Sequence, residues 1–145
     1  MMNNEPLKIE ITGSEELLKT FGLLSKGIDA DFVMINAMKR IGKEVEANAK
    51  DLLQEKIYET PSSPYYVRTG LLRARTQSDS NPTKEMNGTL SISVRSKVHY
   101  AQYIEFGTSR MNARAFLMPA AEKTKGEISR ILKDAIMDYL KSKGR

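Results

Sequence analysis

The 145-residue chain has no cysteine and a single histidine, His99. Without cysteine there are no disulfides, thiolate nucleophiles or cysteine-ligated zinc, and the expected compartment is a reducing cytoplasm. With one histidine, a nucleophilic triad has one candidate base. No Gly-x-Ser-x-Gly elbow, P-loop, His-Glu-x-x-His or glycine-rich dinucleotide loop accompanies it. A zinc site would have to be built from scattered carboxylates, and the adjacent acids Glu15/Glu16, Glu44/Glu46 and Asp51/Glu55 are explained by a helix N-terminus and by solvated helix faces. No run approaches the ~18 apolar residues of a membrane span. The opening MMNNEPLKIEITGSEE is polar and acidic, unlike a signal peptide. The expectation is a soluble chain, one domain over residues 1–145, with no catalytic residues, no cofactor and no metal.

What is present is an uneven charge. The net +5 divides into 9 Lys+Arg against 11 Asp+Glu over residues 1–72, and 14 against 7 over residues 73–145. A basic half of this kind suits a nucleic-acid surface, a pole that meets the acidic pole of a neighbouring subunit, or a solvated face with no partner.

The hydrophobic pattern gives an α+β order. LKIEIT alternates Leu7, Ile9 and Ile11 with polar residues, the period of a half-buried strand. A short helix is predicted from a Ser14 cap to a Gly27 stop. From about Asp29 to Ile57, Met34, Met38, Ile41, Val45, Ala49 and Leu52 recur at three- and four-residue steps, a long amphipathic helix. ETPSSPYYVRTG breaks it as a loop. LLRARTQSDS reads as a strand opening after Gly70. TLSISVRS is a clearer one, with Leu90, Ile92 and Val94 on one side and Ser91 and Ser93 on the other, and NPTKEMNG between them makes a ragged hairpin tip. YAQYIEF is two helical turns, with Tyr100, Tyr103 and Ile104 on one face and Gly107 as a left-handed cap. A terminal helix runs from about Pro119 to Lys141, its stripe formed by Ile128, Ile131, Leu132, Ala135, Ile136, Tyr139 and Leu140. The expected architecture is a small antiparallel β-sheet with the long amphipathic helix and the C-terminal helix packed on one face, plus short helices.

Reactive side chains crowd into HYAQYIEFGTSRMNARAFLMPA, residues 99–120. Glu105 lies inside an aromatic helix. Buried there it needs compensation, for which Arg110 or Arg114 is the nearest cation; the plainer alternative is a surface glutamate one turn from the helix end. A second cluster, YYVRTGLLRAR, places Tyr65 and Tyr66 beside Arg68, Arg73 and Arg75. Such a composition fits single-stranded nucleic acid, and equally a protein interface.

Together, RTGLLRAR and YAQYIEFGTSRMNARAFLMPA resemble a family of tailed-phage virion proteins: the minor tail components like the tenth gene product of phage Hong Kong ninety-seven, known as tail-completion or head-tail joining proteins. The family pattern runs Asp/Arg-Thr-Gly-x-Leu-Arg-x-Ser, a strand pair, Tyr-Ala-x-Tyr-Val-Glu-Phe-Gly-Thr, a variable loop and Ala-x-Pro-Phe-Leu-x-Pro-Ala. Arg68, Thr69, Gly70, Leu72 and Arg73 match the first part. Tyr100, Ala101, Tyr103, Glu105, Phe106, Gly107 and Thr108 match the second, with Ile104 for valine. Ala113, Phe116, Leu117, Pro119 and Ala120 match the third; Ala115 stands where proline is frequent, and Arg75 and Thr76 follow Ala74 where serine is usual.

The resemblance implies a non-enzymatic structural virion protein, made in the bacterial host cytoplasm. It would form a homo-oligomeric ring, six-fold or twelve-fold, at the head-tail junction or the head-proximal end of the tail. Its partners would be copies of itself, a head-closure protein, a tail terminator or tail tube, and DNA passing through the channel, with no membrane. The interface candidates are Arg68, Thr69, Gly70, Leu72, Arg73, Tyr100, Tyr103, Glu105, Phe106, Gly107, Thr108, Arg110, Arg114, Phe116 and Pro119. The alternative is a basic single-stranded nucleic-acid-binding module.

Overall fold

A computed structural model of the chain describes residues 7–13, 30–55, 71–84, 90–110 and 112–143. The helix expected from Ser14 to Gly27, the loop tyrosines Tyr65 and Tyr66, the motif residues Arg68, Thr69 and Gly70, and the hairpin tip at 85–89 lie outside the described residues. The elements in chain order are β1 (Leu7–Gly13), α1 (Ala30–Leu53), α2 (Leu71–Ala74), β2 (Thr76–Ser78), β3 (Thr83–Lys84), β4 (Leu90–Ser96), α3 (Ala101–Phe106), α4 (Leu117–Lys125) and α5 (Ile128–Lys143). The expected α+β class is what this order and packing show.

β4 is the centre of the sheet, and Ser91 and Ser93, expected on its second side, are buried along with Leu90, Ile92 and Val94. It pairs antiparallel with β1 from Leu7↔Ser96 to Gly13↔Leu90 on one side. On the other side it pairs in succession with β2 (Thr76↔Ser96 to Ser78↔Val94) and β3 (Thr83↔Ser91, Lys84↔Leu90). The sheet is thus three strands wide. Between β2 and β3 the outer edge carries residues 79–82 opposite only Ser93 and Ile92, a bulge that interrupts an edge otherwise open to further pairing. Asp79 remains at the bulge, its N–H on the Ser93 carbonyl at 2.9 Å and its carboxylate 3.3 Å from the Arg95 guanidinium.

The hairpin expected between the two strand runs exists, but its first arm starts late. Residues 71–74 are the single helical turn α2, not strand. Leu72 is fully buried, and the Thr76 hydroxyl donates to its carbonyl at 2.8 Å while also meeting the Ser96 hydroxyl at 2.8 Å. That anchor favours a turn over an extended start, and the ladder begins only at Thr76.

α1 lies along one face of the sheet and divides the core into two clusters. Its N-terminal half (Val33, Met34, Ala37, Met38 and Ile41) packs with Leu90 and Ile92 of β4 and with Ile131, Leu132 and Ala135 of α5. Its C-terminal half (Val45, Ala49 and Leu53) packs with Leu72, Val94, Ile104, Phe116, Leu117 and Ala120. The heptad-like spacing located this stripe to within one residue: Leu53 is fully buried, whereas Leu52 is half-buried.

Polar ties hold α1 to its neighbours. Asn48 Nδ2 donates to Thr124 Oγ1 at 2.9 Å in the interior. The Ser78 N–H donates to Glu46 Oε1 at 2.9 Å, so an acid that the sequence reads as solvated closes a backbone donor of β2. At Gly42 α1 lies close against the sheet: a Cβ there would stand 2.3 Å from Ser78 Oγ and 3.0 Å from Ile92 Cδ1.

The terminal helix expected as one piece is two. α4 starts at Leu117, two residues before Pro119, which sits in the first turn where its missing N–H costs nothing. At Gly126, a weak helix former, the ladder tightens, the Glu127 N–H reaching back only to Thr124 O at 2.8 Å before α5 resumes. Of the expected stripe, Leu140 is about half exposed.

Where α1 meets this junction, the carboxyls of Glu44 and Glu127 are paired beside Arg130. A hydrogen bond with Glu127 raises the Glu44 carboxyl above its ordinary value, helped by burial and the Glu127 charge and opposed by Arg130 and Lys123. The hydrogen bond from Glu44 lowers Glu127, and Arg130, 3.0 Å away, adds to it.

Two outcomes follow. Gly42→Ala removes a poor helix former, worth up to about 1 kcal/mol of stabilisation, yet forces Ser78 and Ile92 apart; we expect a net loss of about 1–2 kcal/mol in denaturant titration. A gain would mean the helix does not sit this close to β2. For the carboxyl pair, the raised Glu44 stabilises at low pH and loses that contribution as pH rises through its folded-state pKa. The lowered Glu127 contributes above its unfolded value and loses that as pH falls through its own. The two windows overlap around the ordinary glutamate value of 4.5. Glu44→Gln keeps the donor without the charge, so the fall in Tm from that window to neutral pH should flatten; an unchanged slope would contradict the pairing.

Candidate interaction surface

Six residues are too few for α3 to persist alone, so its neighbours must hold it. Its buried residues are Ala101, Ile104 and Glu105, at the i, i+3, i+4 spacing of one helix face. The face expected from the sequence, Tyr100, Tyr103 and Ile104, is thus turned by about one residue, and both tyrosines are half-buried at its margin. Tyr100 occupies the N-cap position, and His99, exposed, meets its ring edge-on with centroids 5.4 Å apart.

Glu105 is 4% exposed. Its Oε2 accepts the backbone N–H groups of Phe116 at 2.9 Å and Leu117 at 3.0 Å, and its Oε1 accepts that of Met118 at 2.9 Å. These are the orphan amides at the start of α4, whose own N-cap residue, Phe116, has no side-chain acceptor. A carboxylate from one helix therefore caps another, and its charge meets the positive end of the α4 dipole. The expectation that a buried Glu105 needs compensation holds, and three backbone amides supply it.

The clamp closes the loop between the two helices. The chain leaves α3 through Gly107, whose N–H donates to Tyr103 O at 2.7 Å. Its φ of 79° and ψ of 174° make it positive-φ as anticipated, but extended and not left-handed helical, a region reserved almost entirely for glycine. The Arg110 N–H takes the Thr108 hydroxyl at 3.2 Å, and the Arg114 N–H returns to Ile104 O at 2.7 Å.

Either side of the clamp, Phe106 is 70% and Met118 57% exposed. Around them stand exposed Thr108 and Arg110 and half-buried Arg114; Arg73, Arg75 and Lys97 are exposed at the same end of the sheet, with Lys97 N–H on Arg75 O at 3.2 Å. From Lys97 to Met118 the one carboxylate is the buried Glu105. The structure thus gathers Phe106, Gly107, Thr108, Arg110 and Arg114 of the sequence candidates at one basic, apolar corner, with Tyr100 and Tyr103 at its back. Leu72 and Phe116 are fully buried core residues, and Pro119 is half-buried in α4. Met118 stands beside the clamp without having been singled out, and was legible as the one large apolar residue in the first turn of α4 not needed for its buried side; Lys97 and Arg75, the latter read in the sequence with Arg68 and Arg73, lie at the neighbouring end of the sheet.

What the fold presents is a loop braced by the Glu105 clamp, with exposed Phe106 and Met118 on either side of it. Among the described residues no three His, Cys, Asp or Glu side chains gather as if for a metal, and no helix is long and apolar enough to cross a membrane. Residues 15–107 match the family described as "Bacteriophage HK97-gp10, putative tail-component", and the chain belongs to that family of phage tail components. The matched stretch ends at the glycine that closes α3, so the Arg110–Arg114 loop, α4 and α5 lie beyond it. No curated protein and no solved structure matches the chain.

Removing the clamp should be costly. Glu105→Gln places an N–H₂ against backbone donors, and hydrogen bonds to a charged group contribute about 1.5–3 kcal/mol each. We expect a loss of about 2–3 kcal/mol in chemical denaturation, against less than about 0.5 kcal/mol for Thr108→Ala on the exposed loop. Equal small losses from both would show that the carboxylate does not hold α4.

Proposed function

We propose that this chain is a structural, non-enzymatic virion protein of a tailed phage or prophage. It acts by docking, as a ring of copies at the head-tail junction or the head-proximal end of the tail. Membership of the phage tail-component family supports the virion role. The observation that carries the docking mechanism is the corner itself: Phe106 and Met118, two large apolar side chains held in solvent on either side of a buried carboxylate, with exposed Arg110 in the loop between them. An exposed phenylalanine beside arginines is the composition of an interface anchor, and the rigid closure of the loop lowers the ordering cost of binding.

The particle decides it. In the phage or prophage that encodes the chain, deleting the gene should yield DNA-filled heads and separate tails by electron microscopy. Restoring the chain should rejoin them, with the chain in purified particles. Joined, infectious particles made without it would contradict the proposal. Retarded duplex or single-stranded DNA with a steep salt dependence, by a chain absent from particles, would favour the nucleic-acid module instead.

A further inference from the structure

The two faces of the sheet differ. Leu90, Ile92 and Val94 of β4 enter the core with α1, so alternation turns the odd-numbered positions to the other side. There Ser91 and Ser93 are buried, and the open part of the face is the end at Arg95. The register fills that end with cations. Lys8 of β1 stands directly opposite Arg95, with Gln77 of β2 on its other flank. One step past the last pair, Thr76↔Ser96, Arg75 stands opposite Lys97, whose N–H donates to Arg75 O at 3.2 Å. The two rows are about 7 Å apart along the strands. Lys8, Arg75 and Lys97 are exposed and have no ion-pair partner among the described residues. Arg95 Nε is closed to solvent and makes no hydrogen bond, although Asp79 Oδ1 lies 3.3 Å away.

Like charges set directly opposite each other across two strands are destabilising. A face that needed only to stay wet would place opposite signs at those positions, yet Lys8 meets Arg95 and Arg75 meets Lys97. The acids in register do not offset them: Asp79 contacts Arg95, and Glu10 is paired with Ser93, one row further in. We propose that this end of the sheet is a binding site for the phosphate backbone of a nucleic acid, which supplies the missing negative charge. The site stands on register and charge, independently of the docking corner. The guanidinium groups of Arg75 and Arg95 suit paired contacts to phosphate oxygens, and the lysines act as point charges. Phosphates set apart by a sugar reach from one row to the next, while those of inorganic polyphosphate are joined through a single oxygen and crowd into one. None of the exposed large apolar side chains among the described residues lies on β1, β2 or β4, so the face has no anchor for a protein partner. Contacts to the backbone alone carry no sequence information, and the binding is indifferent to base order.

The test is fluorescence anisotropy of a short labelled DNA duplex with the full chain across a salt series, beside a double variant carrying Arg75→Gln and Lys97→Gln. A second double variant, Lys133→Gln with Lys141→Gln, removes the same charge from exposed positions of α5, which packs on the α1 side of the sheet, and is the control. The parent should bind at low salt, with the logarithm of its affinity falling linearly as the logarithm of salt rises. The Arg75/Lys97 variant should lose about two from that slope, and the control should keep the parent's. Because the Arg75/Lys97 variant is relieved of repulsion, it should melt no lower than the parent at low salt. Should it melt early, Lys8→Gln is the second probe and should lower the slope by about one. Inorganic polyphosphate at equal phosphate concentration should displace the duplex poorly. A parent that ignores DNA at low salt, an Arg75/Lys97 variant with the parent's slope, a control that loses as much, or ready displacement by polyphosphate would each overturn the site. A chain that joins heads to tails yet ignores DNA would remove this site and leave the proposed function standing. DNA held by these residues in a chain dispensable to the particle would do the reverse.

Discussion

The carboxylate of Glu105 is the point on which the candidate surface depends. It is buried in an apolar setting, where an ionised acid is tolerable only with several hydrogen bonds, and the unfilled amides at the start of α4 provide three. Those amides need an acceptor as much as the carboxylate needs donors, because Phe116 cannot cap its own helix. Two liabilities cancel each other, and the cancellation fixes where the loop begins and ends. Phe106 and Met118 are left outside because Glu105 and Leu117 are held inside.

The clamp operates at one end of a longer brace. α1 touches the sheet, α4 and α5, and its two halves belong to different clusters of the core. Small and polar groups set how closely it lies: Gly42 against Ser78 and Ile92, Glu46 on the β2 backbone, and Asn48 on Thr124, whose hydroxyl donates in turn to Ala120 O. Because Thr124 belongs to α4, the Asn48 bond and the Glu105 clamp grip the same helix from two sides. A surface built on such a helix is pre-formed, which lowers the ordering cost of binding.

Much of this was legible in the amino-acid pattern. Alternation in LSISVRS located the central strand, and the three- and four-residue steps from Met34 to Ala49 located α1, because burial of one face imposes those periods. Local reading failed where a distant partner decided the outcome. The turn at Leu72 forms because its side chain fills a pocket between elements, and Gly42 looks like an ordinary helix residue until the sheet is laid beside it. The role of Glu105 was half visible: an acid on an apolar helix face announces a buried charge. Its donors, eleven to thirteen residues onward, are main-chain amides, which carry no sequence signature.

First-turn amides of a helix ordinarily lack protein acceptors and exchange with solvent quickly. Amide hydrogen exchange at Phe116, Leu117 and Met118 therefore reads the clamp directly. If Glu105 braces the corner, all three should exchange as slowly as the interior amides of α4, protected up to the larger openings of the fold. Exchange at the rate of the exposed Arg110 loop would show that nothing holds the start of α4, and that Phe106 and Met118 are not presented on a fixed surface.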